Sequence, residues 1–155
     1  MGDVYVFFDV DGVLNRESDW KKSKFSVNEE CVRCFREFVQ VLESVYRRKP
    51  KLVICSTWRT GMNRSGESYS GAGEILAESG LAIDDSTPVS SKTRQDEIEY
   101  YIRRNCVEKY IVIDDDRSLF PRSDSIHLYT PDYHTGLTSK DVKLMKKQFI
   151  KQNGH

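Results

Sequence analysis

One stretch of sequence predicts the fold of this chain: Val4-Tyr5-Val6-Phe7-Phe8-Asp9-Val10-Asp11-Gly12-Val13-Leu14-Asn15. A continuous apolar run that leads into carboxylates is typical of a strand buried on both faces of a parallel sheet. Asp9 would lie at the carboxyl end of that strand, where open α/β sheets place their ligands. Asp9 and Asp11 project to the same side of an extended chain, so they can face one pocket. Gly12 permits the sharp backbone turn by which the chain leaves the strand.

The two neighbouring aspartates leave a functional site and a solvated turn both open. Carboxylates this close repel each other, which raises one pKa unless a cation lies between them. The pair therefore suits either a bound metal ion or a nucleophile that works with a general acid/base, and a strand ending in a solvated turn is the alternative without function. A calcium-binding loop is excluded, because its fifth, sixth and twelfth positions need an oxygen ligand, Gly and Glu. Here those positions hold Val13, Leu14 and Trp20.

The composition predicts one globular domain that spans residues 1–155. Hydrophobic residues make up 38% and charged residues 31% of the chain, which are ordinary values for a folded protein. Lys plus Arg and Asp plus Glu both number 24, so any nucleic acid must be bound through a local patch. No apolar run approaches the roughly 20 residues of a membrane span, and no secretory leader is visible. We therefore expect a cytoplasmic protein that does not bind membranes.

Strands and helices alternate along the chain, which predicts an α/β fold with a parallel sheet covered on both sides. The predicted strands are 4–8, 51–56, 81–83, 110–113 and 126–129. The predicted helices are 28–46, 73–79, 93–105 and a final one that opens at a capping box in 138–141 and runs to about residue 151. The polar interval 15–26, the Gly- and Ser-rich interval 60–70 and the segment 131–137 are predicted loops.

Polar side chains follow three of the predicted strands. They are Asp9 and Asp11, then Ser56, then Asp114, Asp115 and Asp116, with the basic residues Lys92 and Arg94 in the interval between the last two groups. A carboxylate can act as a nucleophile and form an aspartyl-phosphate, and Mg²⁺ prefers carboxylate oxygens as ligands. A hydroxyl and a cation can hold the phosphoryl oxygens on which transition-state charge collects. The set is complete for phosphoryl transfer.

The order of these groups resembles the haloacid dehalogenase (HAD) superfamily. The stretch from Asp9 to Leu14 looks like motif one of that superfamily, and Ser56 looks like motif two. Lys92 or Arg94 would correspond to motif three, and Asp114-Asp115 to motif four. The resemblance implies a Rossmann-like three-layer fold and a phosphatase. Asp9 would be the nucleophile, and Asp11 the general acid/base that protonates the leaving oxygen and then activates water. Mg²⁺ would be the cofactor, with Asp9, Asp11, Asp114 and Asp115 as the expected ligands.

A narrower resemblance extends past residue 116. A set of five short motifs looks like the HAD domains of RNA-repair proteins, which are relatives of polynucleotide 3′-phosphatases. The motifs are Asp-Gly-Val-Leu-Asn, Ser-Thr-Trp-Arg, the Arg-x-x-Glu-Ile of 94–98, Asp-Asp-Asp and the Gly-Leu-Thr of 136–138. This resemblance implies a phosphorylated substrate with an RNA or DNA end. Arg94 matches the basic residue of that subgroup and Lys92 the commoner lysine of the superfamily, so both stay candidates, with Arg94 favoured.

Several further residues are expected to contact substrate. Arg59 would either bind a substrate phosphate or form a salt bridge, and Trp58 would either stack on a base or pack in the core. Tyr133 and His134 lie in a loop at the edge of the sheet where the site is predicted. They would either contact substrate or be exposed side chains without a specific role. The expected substrate-binding residues are Gly12, Thr57, Trp58 and Arg59.

The intervals after motif one and motif two, 15–27 and 60–70, are too short for a cap domain, so the site should be open to a polymer end or a protein side chain. A nucleic-acid 3′-phosphatase is the favoured function. A phosphatase of small metabolites or phosphoproteins is the alternative, which the neutral charge favours. A catalytically silent HAD-like binding module is the non-enzymatic alternative, and the complete set of aspartates argues against it. No obligate protein partner is evident.

Overall fold

The computed structural model of the chain describes residues 2–23, 26–58 and 72–154. The strands are β1 Val4–Phe8, β2 Lys51–Ile54, β3 Asp85–Ser86, β4 Lys109–Ile113 and β5 Leu128–Tyr129. The helices among the described residues are α1 Glu17–Trp20, α2 Glu29–Tyr46, α3 Ala72–Glu78, α4 Arg94–Arg104 and α5 Ser139–Asn153, and 3₁₀ turns lie at Arg117–Leu119 and Ser123–Ser125. The strands form one sheet in the order β3-β2-β1-β4-β5, and every pairing is parallel. The predicted α/β class with a parallel sheet is confirmed.

The register of the central strands brings their carboxyl ends level. Phe8, the last residue of β1, pairs with Ile54 of β2 on one side and with Ile113 of β4 on the other. The backbone N–H of Asp9 then donates to the carbonyl of Ile113 at 2.9 Å, which extends the ladder by one residue. Residues that follow these three strands are consequently neighbours at one edge of the sheet.

The side chains of β1 alternate between two cores, which is why the strand is buried on both faces. Phe8 packs on the side of α2 and α5, where its ring lies 5.0 Å from that of Phe35. Phe7 packs on the side of α4, with its ring 5.5 Å from that of Tyr101. The alternation is the period of two that a strand imposes on its side chains. It produces the predicted three layers, helix–sheet–helix.

Helix starts agree with the polar residues that precede them. The side chain of Asn28 accepts a hydrogen bond from the backbone N–H of Cys31 at the start of α2. Thr93 and Asp96 form a reciprocal capping box at α4, and Thr138 and Asp141 form another at α5. Such caps satisfy backbone N–H groups that have no partner inside the helix. The cap of α4 sets where Arg94 enters the site.

The prediction of a strand over 81–83 is wrong, because the edge strand is Asp85–Ser86. The N–H of Leu81 donates to the carbonyl of Leu76 and so closes the end of α3. Contact with β2 begins at Asp84, which makes two hydrogen bonds with the backbone of Leu52. The segment after α3 therefore reaches the sheet later than its apolar residues suggest.

Helix α1 occupies part of the interval 15–26, where the sequence predicts a continuous loop. The predicted loop 60–70 and Arg59 lie outside the described residues. Within the described ranges, no helix is both long enough and apolar enough to cross a membrane.

Candidate active site

Three carboxylates and one guanidinium converge at the carboxyl ends of β1 and β4. One oxygen from each of Asp9, Asp114 and Asp115 lies within 4.8 Å of the others. Asp9 and Asp114 are buried, and Nη1 of Arg94 lies 2.7 Å from Oδ2 of Asp114 and 3.4 Å from Oδ1 of Asp9. Arg94 is the first residue of α4, so its side chain reaches back toward the sheet edge as helical side chains do. The predicted convergence of these strand ends is observed.

Burial controls the protonation of these carboxyl groups. It raises the pKa of Asp9 to about 7, against the opposing charge of Arg94 and with help from a hydrogen bond to Asp115. Burial, together with the charge of Asp9, raises the pKa of Asp114 to about 7, and burial raises the pKa of Asp115 to about 6. The pKa of Arg94 is raised above its ordinary value, because the charges of Asp9 and Asp114 outweigh the lowering caused by its burial. One cation does not balance three carboxylates in this buried place.

The carboxylate group fits a divalent cation. Mg²⁺ binds oxygen ligands at about 2.1 Å, so two ligands on opposite sides of the ion lie about 4.2 Å apart. Carboxylate oxygens that already lie within 4.8 Å of one another need only small side-chain adjustments to reach that spacing. Burial is the main cause of the raised pKa values, and the charge of a neighbouring carboxylate adds to it at Asp114. A bound cation would oppose both effects. Asp9, Asp114 and Asp115 are thus the residues that would hold Mg²⁺.

The two other predicted acidic positions behave differently. The Oδ1 of Asp11 accepts hydrogen bonds from Nδ2 of Asn15 at 2.9 Å and from Nε1 of Trp58 at 3.3 Å. Asp11 is not a member of the three-carboxylate group, and its assignment as a metal ligand stays a prediction. Asp116 is exposed, and its Oδ1 accepts from the backbone N–H and hydroxyl of Ser118, so it caps the first 3₁₀ turn.

Asn15 is a site residue whose role the sequence did not indicate. It is fully buried, and Nδ2 donates both to Asp11 and to the carbonyl of Ser26 at 2.8 Å, while Oδ1 accepts from the backbone N–H of Gly12 at 2.9 Å. Both polar ends of the amide are therefore satisfied. The sequence feature that could have indicated this role is the Asn that ends the motif Asp-Gly-Val-Leu-Asn, four residues after Asp11. Asn side chains often form hydrogen bonds that close such short turns.

Gly12 is required by the packing of two loops. Its φ is +83°, in the left-handed region, and a Cβ placed on it would lie 2.4 Å from Cγ of Asp115. Only glycine allows the turn after β1 to approach the loop after β4 this closely. The predicted contact between Gly12 and substrate stays a prediction, whereas its role in placing Asp115 is a property of the fold.

The segment after β2 supports Asp11 from the other side. Oγ of Ser56 is buried and accepts a hydrogen bond from the backbone N–H of Trp58 at 3.1 Å. Trp58 is only 2% exposed and packs in the core, which agrees with the packing alternative, and its contact with substrate stays a prediction. Thr57 is exposed and stays a predicted substrate contact, and Arg59 lies beyond the described residues.

The geometry also separates the two candidate cations. Lys92 is exposed and precedes Thr93, the cap of α4, whereas Arg94 follows the cap and contacts two of the three carboxylates. Lys92 forms no ion pair with those carboxylates in the part of the chain that is described. Its catalytic role stays a prediction, and the contacts of Arg94 favour the arginine, which lies in the first turn of α4 and faces the sheet edge.

The chain matches a known protein family over most of its length. A family model described as "HAD domain in Swiss Army Knife RNA repair proteins" matches residues 5–142. The matched span contains the three-carboxylate group, Asp11 and Arg94. No curated protein matches the chain.

Proposed function

The chain belongs to the family of HAD domains in Swiss Army Knife RNA repair proteins, and from this premise we propose that it is a Mg²⁺-dependent phosphomonoester hydrolase. The observation that carries the proposal is the buried contact of Arg94 with Asp9 and Asp114, next to an aspartate held by two N–H donors. The contact of Arg94 provides a nucleophile, Asp9, with a cation beside it. The two N–H donors provide a general acid/base, Asp11, whose orientation is fixed. Phosphomonoester hydrolysis through an aspartyl-phosphate uses both groups.

The proposed reaction proceeds in two displacements at phosphorus. An oxygen of Asp9 attacks, the bond from phosphorus to the leaving oxygen breaks, and an aspartyl-phosphate forms on Asp9. Asp11 gives its proton to the leaving oxygen, and then takes a proton from the water that attacks the aspartyl-phosphate. The second displacement releases inorganic phosphate and regenerates the carboxylate of Asp9.

Charge on the transferring phosphoryl group is stabilised by the residues around Asp9. The guanidinium of Arg94 is fixed by its contact with Asp114 and so is preorganised at the site. The hydroxyl of Ser56 is the second proposed donor to a phosphoryl oxygen. Mg²⁺, when bound by Asp9, Asp114 and Asp115, supplies positive charge to the phosphoryl group and keeps the carboxyl groups ionised.

The arrangement of hydrogen bonds on Asp11 fits the acid/base role. Asn15 and Trp58 both donate to Oδ1, so Oδ2 is the oxygen that carries and transfers the proton. Two donors on one oxygen also fix the plane of the carboxyl group, which matters because proton transfer requires an aligned hydrogen bond to the leaving oxygen.

The favoured substrate is the 3′-phosphate end of a nucleic acid. Support comes from the family's occurrence in RNA repair proteins and from the interval between β1 and α2, whose described residues contain only the short helix α1. An open site accepts a polymer end. A phosphatase of small metabolites or phosphoproteins is the second candidate, favoured by equal numbers of basic and acidic residues.

Hydrolysis of p-nitrophenyl phosphate tests the enzyme proposal, with Mg²⁺, with Ca²⁺ and with a chelator. We expect turnover with Mg²⁺ and little with Ca²⁺, which prefers more ligands and looser geometry. Asp9→Asn is the inactive control. Activity that survives complete chelation would overturn the metal assignment, and a wild-type protein without turnover on any phosphomonoester would leave the silent binding module.

A substrate panel then separates the two phosphatase candidates. Matched oligonucleotides with a 3′-phosphate, a 5′-phosphate or no phosphate are compared with sugar phosphates and a phosphopeptide. We expect the highest kcat/KM for the 3′-phosphorylated oligonucleotide. A higher value for a sugar phosphate or phosphopeptide would replace the nucleic-acid assignment.

A further inference from the structure

Three aromatic rings from two separate segments contact one another in the described structure. The ring centroids of Trp20 and Tyr133 lie 6.3 Å apart with a 31° angle between planes, and those of Tyr133 and His134 lie 4.1 Å apart. Tyr133 is 39% exposed, the side chain of His134 is 59% exposed, and Trp20 is half-buried. We call these three side chains the aromatic surface.

The aromatic surface lies at the same edge of the sheet as the carboxylates. Trp20 ends α1, which follows β1, and Tyr133 lies in the segment after β5, so both come after the carboxyl ends of parallel strands. The segments are joined by a hydrogen bond from the backbone N–H of Glu17 to the carbonyl of Tyr133 at 3.0 Å. A second joins the N–H of Leu137 to the carbonyl of Val13, within the loop that carries Asp11, also at 3.0 Å.

Glycine packing fixes the segment after β5 against that loop. Gly136 has a φ of +61°, and a Cβ placed on it would lie 2.7 Å from the carbonyl oxygen of Asn15 and 2.6 Å from Sγ of Cys31. Asn15 in turn donates to Asp11. Helix α1 has four residues and so is only about 6 Å long. Trp20 and Tyr133 are therefore joined to the loop of Asp11 by short segments that make hydrogen bonds and close packing contacts with it.

Backbone hydrogen bonds join these segments, and the contacts of Trp20 with Tyr133 and of His134 Nδ1 with Glu17 at 3.6 Å add to them. Tyr133 and His134 nevertheless keep 39% and 59% of their surface exposed, which leaves ring area for a ligand. Single exposed aromatic residues are common, but a contiguous exposed set beside an active site is typical of a binding surface. Flat aromatic faces next to basic side chains suit nucleobases that stack while phosphates pair with the cations.

Basic side chains lie on and beside α1. Arg16, Lys21 and Lys22 are all exposed. Arg16 and Lys21 pair with acidic side chains of α1 itself, whereas Lys22 forms no ion pair within the described part of the chain. Lys22 is therefore the cation that a phosphate reaches without displacing a carboxylate.

We propose that the aromatic surface stacks the bases next to the phosphorylated end of a single-stranded nucleic acid and so presents that end to Asp9. The inference rests on the proposed phosphatase function and specifies its substrate as a single strand. Stacking tolerates every base, because each has a π-face, so binding should depend little on sequence. Contacts between phosphates and the basic side chains should make the affinity fall as salt rises.

Fluorescence of Trp20 tests base stacking without any catalytic step. The probe is a single-stranded oligonucleotide of mixed sequence with a 3′-hydroxyl, which is not a substrate. We expect it to quench the wild-type fluorescence, and we expect Trp20→Phe, which keeps the buried Trp58, to lose the quenching. A wild-type signal that the oligonucleotide leaves unchanged, or quenching that persists in Trp20→Phe, would overturn the proposal.

Affinity measured by a second method covers variants that lack the reporter. Trp20→Ala and Tyr133→Ala should each weaken binding of a dye-labelled oligonucleotide about tenfold, the loss expected for one stacking contact. Tyr100→Ala is the matched control, because Tyr100 is 48% exposed on α4, away from the aromatic surface, and it should bind as the wild type does. Equal affinities in all four proteins would refute the aromatic surface, and so would tighter binding to an aromatic peptide than to the oligonucleotide.

Activity data separate failure of this inference from failure of the proposed function. The informative quantity is the ratio of kcat/KM for the 3′-phosphorylated oligonucleotide to kcat/KM for p-nitrophenyl phosphate, which we expect to fall about tenfold in Tyr133→Ala. A ratio that stays at the wild-type value in an active enzyme refutes the inference alone. Quenching without any phosphatase activity refutes the proposed function and leaves the aromatic surface as a nucleic-acid binding site.

Discussion

The indole Nε1 of Trp58 donates a hydrogen bond to Oδ1 of Asp11 across 3.3 Å, although the two residues are 47 positions apart in the chain. The contact joins the segment after β2 to the loop after β1. Asn15 donates to the same oxygen from within that loop. The proposed general acid is thus oriented from two segments, and its function should depend on both donors.

Trp58→Phe removes the indole N–H and keeps an aromatic ring in the core. We expect turnover of an alkyl phosphate to fall between about threefold and tenfold, the effect of losing one ordinary hydrogen bond worth about 1 kcal/mol. Turnover of p-nitrophenyl phosphate should fall less, because its leaving group needs little protonation. The two rates are measured under single-turnover conditions. Equal losses of rate on the two substrates would mean that Trp58 stabilises the fold and does not orient Asp11 for proton transfer.

Arg94→Ala should reduce kcat/KM by about 10²–10³-fold, because it removes the cation that stabilises the phosphoryl oxygens. Arg94→Lys keeps a charge but not the planar fork, so it should recover only part of the loss. Lys92→Ala is the control for a nearby basic residue and should stay within about twofold of the wild type, since exposed charges contribute little. A larger effect of Lys92→Ala than of Arg94→Ala would return the catalytic role to the lysine.

Gly12→Ala should disrupt the three-carboxylate group without touching its members. A left-handed alanine costs about 1–2 kcal/mol, and its Cβ would collide with Asp115 at 2.4 Å. Gly154→Ala is a matched control, because Gly154 also has a positive φ of +74°, but a Cβ placed there would have no neighbouring atom within 4 Å. We expect both variants to be less stable and only Gly12→Ala to lose Mg²⁺ affinity in titration calorimetry. Equal Mg²⁺ affinities would refute the close packing of Gly12 on Asp115.

Local patterns in the sequence predict the central strand and the groups that follow it. The apolar run 4–8 indicates β1, and the positions of Asp9 and Asp114 at strand ends indicate their proximity, because parallel strands end at one edge. Thr93 and Thr138 predict helix starts for the same local reason, since a cap needs only nearby atoms.

Features that depend on packing between distant segments are not visible in those patterns. The bond from Trp58 to Asp11 joins two loops, and the contacts of Arg94 with Asp9 and Asp114 join the start of α4 to the ends of β1 and β4. The strand at Asp85–Ser86 has only two residues, and its exposed polar side chains give no hydrophobic signal. Tertiary contacts decide these positions, and a single sequence does not specify them.

The carboxylate group predicts how stability depends on pH in the absence of metal. The pKa of Asp9 and that of Asp114 are about 7, above the ordinary value of 3.8, so the folded state binds more protons than the unfolded state between these values. The free energy of unfolding should therefore fall as pH rises from about 4 to about 7. Denaturation by urea in the presence of a chelator, over this pH range, measures the trend. Rising stability over the same range would contradict the raised pKa values.

Asp9→Asn and Asp11→Asn should fail in different ways. The first removes the oxygen that bonds to phosphorus, so it should abolish turnover of every phosphomonoester. The second keeps the nucleophile, so p-nitrophenyl phosphate should still phosphorylate Asp9, whereas an alkyl phosphate should lose about 10²–10⁴-fold in rate, the usual contribution of a general acid.

Asp11 is also needed when water attacks the aspartyl-phosphate, and for that reason Asp11→Asn should accumulate the intermediate. Mass spectrometry after rapid acid quench should find one added phosphoryl group on the peptide that contains Asp9, with Asp9→Asn as the control that acquires none. An Asp11→Asn enzyme with an unchanged rate on an alkyl phosphate would remove Asp11 from the acid role. Turnover by Asp9→Asn, together with no adduct in the wild type, would replace the covalent route with direct attack by water.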